Sequence, residues 1–274
     1  MPPHALFDTH THFDAADFAL DRELLADQAK RVGVERLVLI GFVQNRFQDL
    51  IQTHHQLNQL KIAPQSYLAP GLHPFYIEQH QTEHLANLAH ILATEDCVAI
   101  GEIGLDTFLK QHKHPDLFSK QKEFFAAQIE LAQQFDKPIL LHIRKAHAEV
   151  LAMLKQQQFK QGGIAHAFSG GVEEAKAFIQ LGFKLGVTGQ ITNPAAKKLH
   201  RVVQLIGAEH LVLETDCPDM TPLCCQISHQ HRTRNTPANL PYVLEGLAQA
   251  LQITEADLAI KLWRNSLQAL HLPA

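Results

Sequence analysis

Eight short apolar runs, rich in β-branched residues, recur along this chain of 274 residues. They are ALFDTHTH (5–12), RLVLIGF (36–42), SYLAPGLH (66–73), CVAIGEIG (97–104), PILLHI (138–143), GIAHAF (163–168), FKLGVTG (183–189) and LVLETD (211–216). Between them lie DRELLADQAKRVG, FQDLIQTHHQLNQL, TEHLANLAHILA, QKEFFAAQIELAQQF, HAEVLAMLKQQ, VEEAKAFIQLG and AKKLHRVVQLIG. Each of these has apolar residues at i, i+3 and i+4, the pattern of an amphipathic helix. Two more helices are expected around 237–251 and 255–270. Strand–helix alternation reads as a parallel sheet. Eight units predict an α/β fold closed as a (β/α)8 TIM barrel, one domain over residues 1–274. The alternative is an open, doubly wound sheet, but no GxGxxG follows the first run, so its commonest cofactor signature is missing.

Composition narrows the class. Apolar residues make up 46% of the chain, enough for a sizeable core. No run of eighteen apolar residues occurs, so no membrane-spanning helix is expected. The opening MPPHALFDTH has neither a basic n-region nor an apolar h-region, so no secretory signal is expected. The cysteines are Cys97, Cys217, Cys224 and Cys225. Adjacent Cys224 and Cys225 make a poor disulfide framework, and reduced thiols in a cytoplasmic protein are expected. The run CPDMTPLCC, with His229 and His231 nearby, lacks the CxxC spacing of structural zinc folds; ordinary loop thiols are the plainer reading. Lys plus Arg number 24 against 28 Asp plus Glu, a net charge of −4. That is not the footprint of a protein that coats duplex nucleic acid. An enzyme that grips only a strand end or a small phosphate ester remains compatible. Most of the 19 histidines, such as His54, His55, His80 and His84, stand in polar surroundings and read as surface.

The functional signal lies in polar residues at the ends of the apolar runs. His10 and His12 end the first run, His73 the third, Glu102 the fourth, His142 the fifth, His166 the sixth and Asp216 the eighth. In a parallel barrel those ends meet at one mouth. A lone histidine there is more often a hydrogen-bonded structural residue, and a lone glutamate more often pairs with Lys or Arg. Compensating cations are missing here, Arg144 apart. A cluster of imidazoles and carboxylates without cations is what a bound divalent metal would balance. Alternation sets Asp8, His10 and His12 on one side of the first run. It also sets Asp216 with Val212 and Glu214, His142 with Leu140, and His166 with Ile164 and Phe168. Glu214 and Asp8 then read as carboxylates supporting the ligands from behind, or as residues turned outward by a bent strand end.

Together FDTHTHFD, GLHP, GEIGLD, QKEFFAAQIELA, PILLHIR, HAFSG, LETDCPD and RNTPANLP resemble the TatD family of metal-dependent deoxyribonucleases, from residue 7 to about residue 265. The resemblance implies an amidohydrolase-like (β/α)8 barrel and cleavage of DNA, often from an end. It implies two divalent metal ions. His10, His12, Glu102 and Asp216 would hold one; Glu102, His142 and His166 would hold the other, with Glu102 bridging. His73 falls where the family also places a site residue, and is expected to contact substrate or handle a proton. Arg144 follows a ligand and is expected to meet a phosphate oxygen. The chain departs from the family at Ala167, where many members have Cys, and at Thr236, where many have Glu. Neither is a proposed ligand, so the departures bear on which substrate fits.

Imidazole and carboxylate ligands with open positions suit Zn, Mn, Co or Mg. Two such ions about 3.5–4 Å apart would clamp an attacking water and phosphoryl oxygens. Asp216 is the candidate general base. Three readings compete: a phosphodiesterase acting on DNA ends, the same site hydrolysing a small amide, lactone or phosphate ester, and a metal-binding protein without catalysis. The net charge favours the second. Arg232 and Arg234, in the long segment 217–237, favour the first as phosphate contacts, unless that segment is simply a solvated loop. No membrane and no obligate protein partner are expected.

Overall fold

A computed structural model describes residues 4–228 and 232–273. His229 and His231 therefore lie outside the described residues. Parallel strands alternate with helices in the expected order. The strands are β1 (Leu6–Thr11), β2 (Val34–Ile40), β3 (Gln65–Ala69), β4 (Ile100–Asp106), β5 (Ile139–Arg144), β6 (Gly163–Ala165), β7 (Phe183–Val187) and β8 (Leu211–Leu213). The helices are α1 (Arg22–Arg31), α2 (Phe47–Gln59), α3 (Thr82–Thr94), α4 (Pro115–Gln134), α5 (His147–Gln156), α6 (Val172–Gln180), α7 (Lys197–Ile206), α8 (Leu240–Leu251) and α9 (Glu255–Ala269). No helix among the described residues is long and apolar enough to cross a membrane.

β1 to β3 pair in sequence order, as do β4 to β8. Two seams close the sheets into a barrel. At one, the Val98 N–H donates to Leu68 O at 2.8 Å. At the other, Thr9 Oγ1 donates to Leu213 O at 2.9 Å and the Asp216 N–H to His10 O at 2.9 Å. The expected (β/α)8 architecture follows. Phe7, Val38, Ile40, Leu140, Ile164 and Val212 fill its inside, and Leu267 of α9 with Leu270 just after it closes the end where the strands begin. A second apolar layer, including Leu37, Ile103, Leu141, Leu185 and Leu213, lies between strands and helices.

Phe7 points inward, so an unbroken β1 would turn Asp8, His10 and His12 away from the barrel axis. A register shift between Asp8 and Thr11 corrects this. One extra residue inverts the alternation beyond it, which brings His10 and His12 inside. β4 does the same: Ala99 is inward, a shift falls between Gly101 and Ile103, and Glu102 faces the mouth. The single uninterrupted alternation read from the sequence is therefore wrong for β1. It holds for Leu140 with His142 and for Val212 with Glu214. It fails for Phe168, which packs in the outer layer because Ala167 leaves the strand with φ +40°.

Helix α4 braces the mouth through two glutamines on one face. Gln128 accepts from Leu72 N–H at 2.8 Å and donates to Leu72 O at 3.2 Å. Gln121 accepts from Asp106 N–H at 2.8 Å and donates to Asp106 O at 3.0 Å. The loop after β3 and the end of β4 are thus fixed through their backbone to one helix. α4 begins six residues before the apolar periodicity at Gln121, with Pro115 in its first turn. Proline suits that turn because it has no N–H to leave unpaired there.

Candidate metal centre

The βα ends gather His10, His12, His73, Glu102, His142, His166 and Asp216 around one point. Glu102 is its centre. Its Oε2 lies 3.2 Å from His10 Nε2 and 3.6 Å from His12 Nε2. Its Oε1 lies 2.7 Å from His142 Nδ1, 3.4 Å from His73 Nε2 and 4.0 Å from His166 Nε2. The two oxygens of one carboxylate thus face two different sets of imidazoles. Asp216 Oδ1 is 3.7 Å from both His10 Nε2 and His12 Nε2, and its Oδ2 is 3.6 Å from His166 Nε2.

Neighbouring groups set which nitrogen of each ring faces the centre. The His12 Nδ1–H donates to Ile40 O at 3.2 Å, which leaves Nε2 for a ligand. Glu214 Oε1 stands 2.9 Å from His166 Nδ1, so Nε2 again faces in. Asp106 Oδ2 takes the Nε2–H of His142 at 3.0 Å, which leaves Nδ1 toward Glu102. His73 differs. Its Nδ1 accepts from the Phe75 N–H at 2.9 Å, so in the neutral ring Nε2 carries the hydrogen. A ring in that state donates rather than ligates.

Charge balance follows from burial. Desolvation alone would raise the Glu102 carboxyl, but His73, His10, His166 and His142 hold it well below the usual carboxylate range. Burial opposes the charge on Asp216 too, and His166, His10 and His12 overcome it. Burial disfavours charge on His166, yet Glu214, Asp216 and Glu102 raise it well above an ordinary imidazole. His12 is raised to about 9 despite burial, by Glu102 and Asp216. His73 is pushed down to about 4, chiefly by burial, and stays neutral.

This donor set fits divalent cations. His10 is buried, stacked on His166 at 3.5 Å between ring centroids, and neither of its nitrogens has a hydrogen-bond partner. The 3.2 Å approach of His10 Nε2 to Glu102 lacks hydrogen-bond alignment. A buried polar ring without partners costs on the order of 1–3 kcal/mol, and a cation between His10, Glu102 and Asp216 would satisfy it. The donors are imidazole nitrogens and carboxylate oxygens, the mixture that suits Zn, Mn or Co.

The supporting residues differ in part from expectation. Glu214 Oε1 stands beside His166 Nδ1 and also accepts from the Ala167 N–H at 2.6 Å. Asp8 touches no ligand ring. It accepts from the Thr215 N–H at 2.9 Å and the Thr215 hydroxyl at 2.6 Å, fixing the turn that carries Asp216, where φ is +54°. Asn235 holds the same turn, donating to Thr215 O at 2.9 Å. Asp106, Thr215 and Asn235 were not expected in the site. Asp106 stood four residues past Glu102 in GEIGLD, beyond the end drawn for that run.

Arg144 remains at the mouth, its guanidinium 3.9 Å over the Phe108 ring. Arg232 and Arg234 do not line the centre. Arg232 pairs with Asp219 at 2.9 Å; Arg234 pairs with Asp21 and stacks 5.1 Å over Phe18. His80 is no surface residue either: it is buried and its Nε2–H donates to His73 O at 2.9 Å. Beside His166, a cavity of about 340 Å³ is lined by Phe168, Ser169, Thr188, Gln190, Lys197 and Met220, among others. Cys97, Cys217, Cys224 and Cys225 are free thiols.

Known proteins share this arrangement of chain. Over 261 residues the chain is 36% identical to YabD of Bacillus subtilis strain 168, an uncharacterized metal-dependent hydrolase; 93% of this chain and 94% of that protein are covered. Over 264 residues it is 28% identical to a Pantoea vagans protein named 3'-5' ssDNA/RNA exonuclease TatD, covering 95% and 97%. The crystal structure of YjjV, a TatD homolog from Escherichia coli K12, superposes with a TM-score of 0.86 at 31% identity, covering 98% of each chain. The family described as TatD related DNase matches residues 7–271, and the chain belongs to this family of metal-dependent hydrolases.

Proposed function

We propose that the protein is a divalent-metal-dependent phosphodiesterase that removes nucleotides from an end of single-stranded DNA. The observation that carries the two-ion part is Glu102, whose oxygens face separate sets of imidazoles. His10, His12 and Asp216 with Glu102 Oε2 would hold one ion. His142 through Nδ1, His166 through Nε2 and Glu102 Oε1 would hold the other. Bound divalent ions supply Lewis-acid charge and lower the pKa of water in the site.

The remaining work falls to side chains. Asp216 is the more accessible central carboxylate, with 13% of its side chain exposed against 2% for Glu102. It is held ionised, so it can take the proton of the attacking water and pass it to the leaving oxygen. His73 keeps hydrogen on Nε2 and can donate to a phosphate oxygen without changing charge near neutral pH. Arg144 adds a positive charge at the mouth. The nucleic-acid part rests on the relative named 3'-5' ssDNA/RNA exonuclease.

The cavity beside His166 favours a second reading, a small-molecule hydrolase. Its volume of about 340 Å³ matches a metabolite-sized site. One experiment addresses both. Metal-stripped protein is incubated with end-labelled single-stranded oligonucleotide, Mg, Mn, Co or Zn is restored in turn, and Glu102→Ala runs alongside. Metal-dependent nucleotide release that the variant loses supports the nuclease. Two bound metals without cleavage would leave the small-molecule reading.

A further inference from the structure

The two halves of the barrel mouth differ. The cavity with Lys197 lies after β6 and β7, whereas aromatic rings crowd the ends of β2, β3 and β4. Phe42 follows β2, Phe75 and Tyr76 follow β3, and Phe108 follows β4. The first three form a continuous path outward from the metal centre. The His12 ring meets Phe42 at 5.6 Å, Phe42 meets Tyr76 at 5.5 Å, and Tyr76 meets Phe75 at 5.2 Å. His73 touches the path as well, 5.9 Å from Tyr76.

The outer rings are exposed but fixed. Phe75 is 40% exposed and Phe108 45%. Phe75 is held edge-on by Tyr76 and by buried His112 at 5.6 Å. Phe108 carries the Arg144 guanidinium on its face, with Lys145 Nζ 5.0 Å away. Large apolar rings clustered beside a reactive centre cost solvation unless something covers them. Arg144 covers one face of Phe108, and both Phe108 and Phe75 still keep 40% or more of their surface open to solvent.

Charge narrows what that cover is. A net charge of −4 gives a polyanion little general attraction. Affinity for a single strand must then come from the bases, which stack on any aromatic ring regardless of sequence. The rim offers π-faces next to the centre and two cations to meet the phosphates between bases. Resting on the nucleic-acid reading above, we propose that Phe42, Tyr76, Phe75 and Phe108 form a stacking platform for the bases of a single strand whose scissile phosphate lies at Glu102.

The test is a cycle on the metal-loaded, full-length enzyme. Wild type, Phe75→Leu and Phe108→Leu are assayed on a single-stranded oligonucleotide and on one with abasic residues beside the scissile bond. Both leucines are exposed apolar replacements, and circular dichroism checks the fold. Stacking predicts a KM about 5- to 100-fold higher for each variant on the intact strand, with kcat kept. Wild type should lose a similar factor on the abasic strand, and the variants should lose nothing more there. Metal-dependent cleavage with unaltered KM in both variants would overturn the platform alone. So would equal losses on both strands. No cleavage of the intact strand by wild type would overturn the nuclease reading and the platform with it.

Discussion

Glu214 reaches to 2.9 Å from His166 Nδ1 through a gap that Gly186 leaves open. A Cβ at position 186 would lie 2.3 Å from Glu214 Oε1. The glycine on β7 is thus required by a carboxylate just after β8, and the carboxylate by a ring just after β6, on the other side of β7.

Replacing Glu214 with Gln tests that chain of support. The amide keeps an oxygen for the Ala167 N–H, so the turn after β6 should hold. It removes the charge that fixes and enriches the ligand ring. Losing such a partner behind a metal-bound histidine lowers affinity roughly 10- to 100-fold. Metal competition against a chelator should read that loss, while thermal unfolding of the metal-free variant stays close to wild type. Unchanged affinity would make Glu214 a structural residue only.

Glu102→Ala and His10→Ala separate a shared ligand from a private one. Glu102 faces both imidazole sets, so its loss should empty both positions in elemental analysis. His10 faces only the Oε2 side together with Asp216, so its loss should leave one ion per chain. Equal stoichiometry in the two variants would contradict the bridging role.

Arg234 offers a control on substrate contacts. It is tied to Asp21 and to Phe18, both in the segment between β1 and α1. Arg234→Ala should leave KM for an oligonucleotide unchanged. A partly exposed ion pair of this kind contributes about 0–1 kcal/mol, so unfolding should shift by no more. A raised KM would restore Arg234 to the phosphate path.

These outcomes also mark what a sequence can carry. The barrel was legible because strand and helix periodicities differ and recur eight times. The cluster at the mouth was legible because imidazoles and carboxylates inside apolar runs have no other local purpose. Neither bulge was legible. A two-residue period cannot announce the extra residue between Asp8 and Thr11, so the sequence brought His10 and His12 to one side by an alternation that the strand does not keep. Arg234 looked free because its partner Asp21 lies 213 positions away. His80 looked solvated because its neighbours in sequence are polar, yet α4 and the loop after β3 enclose it. Asp106 escaped because its role depends on His142, on the next strand.

His80 gives a pH prediction with a definite sign. Burial lowers its pKa to about 4, and nearby His84 and Lys120 also disfavour charge. Its Nε2–H is bonded to His73 O, while Nδ1 has no partner, so protonation would bury a new N–H without an acceptor. In the unfolded chain the ring titrates near the ordinary value of about 6.5. As pH falls from about 6.5 to 4 the unfolded state takes a proton that the folded state refuses. Stability from this group is therefore complete above 6.5 and declines toward 4, by at most roughly 1.4 kcal/mol per pH unit. His80→Gln can still donate to His73 O and does not titrate. The difference in unfolding temperature between metal-free wild type and variant should shift steadily in the variant's favour as pH falls through that window. A constant difference would mean that folded His80 titrates like a solvated imidazole.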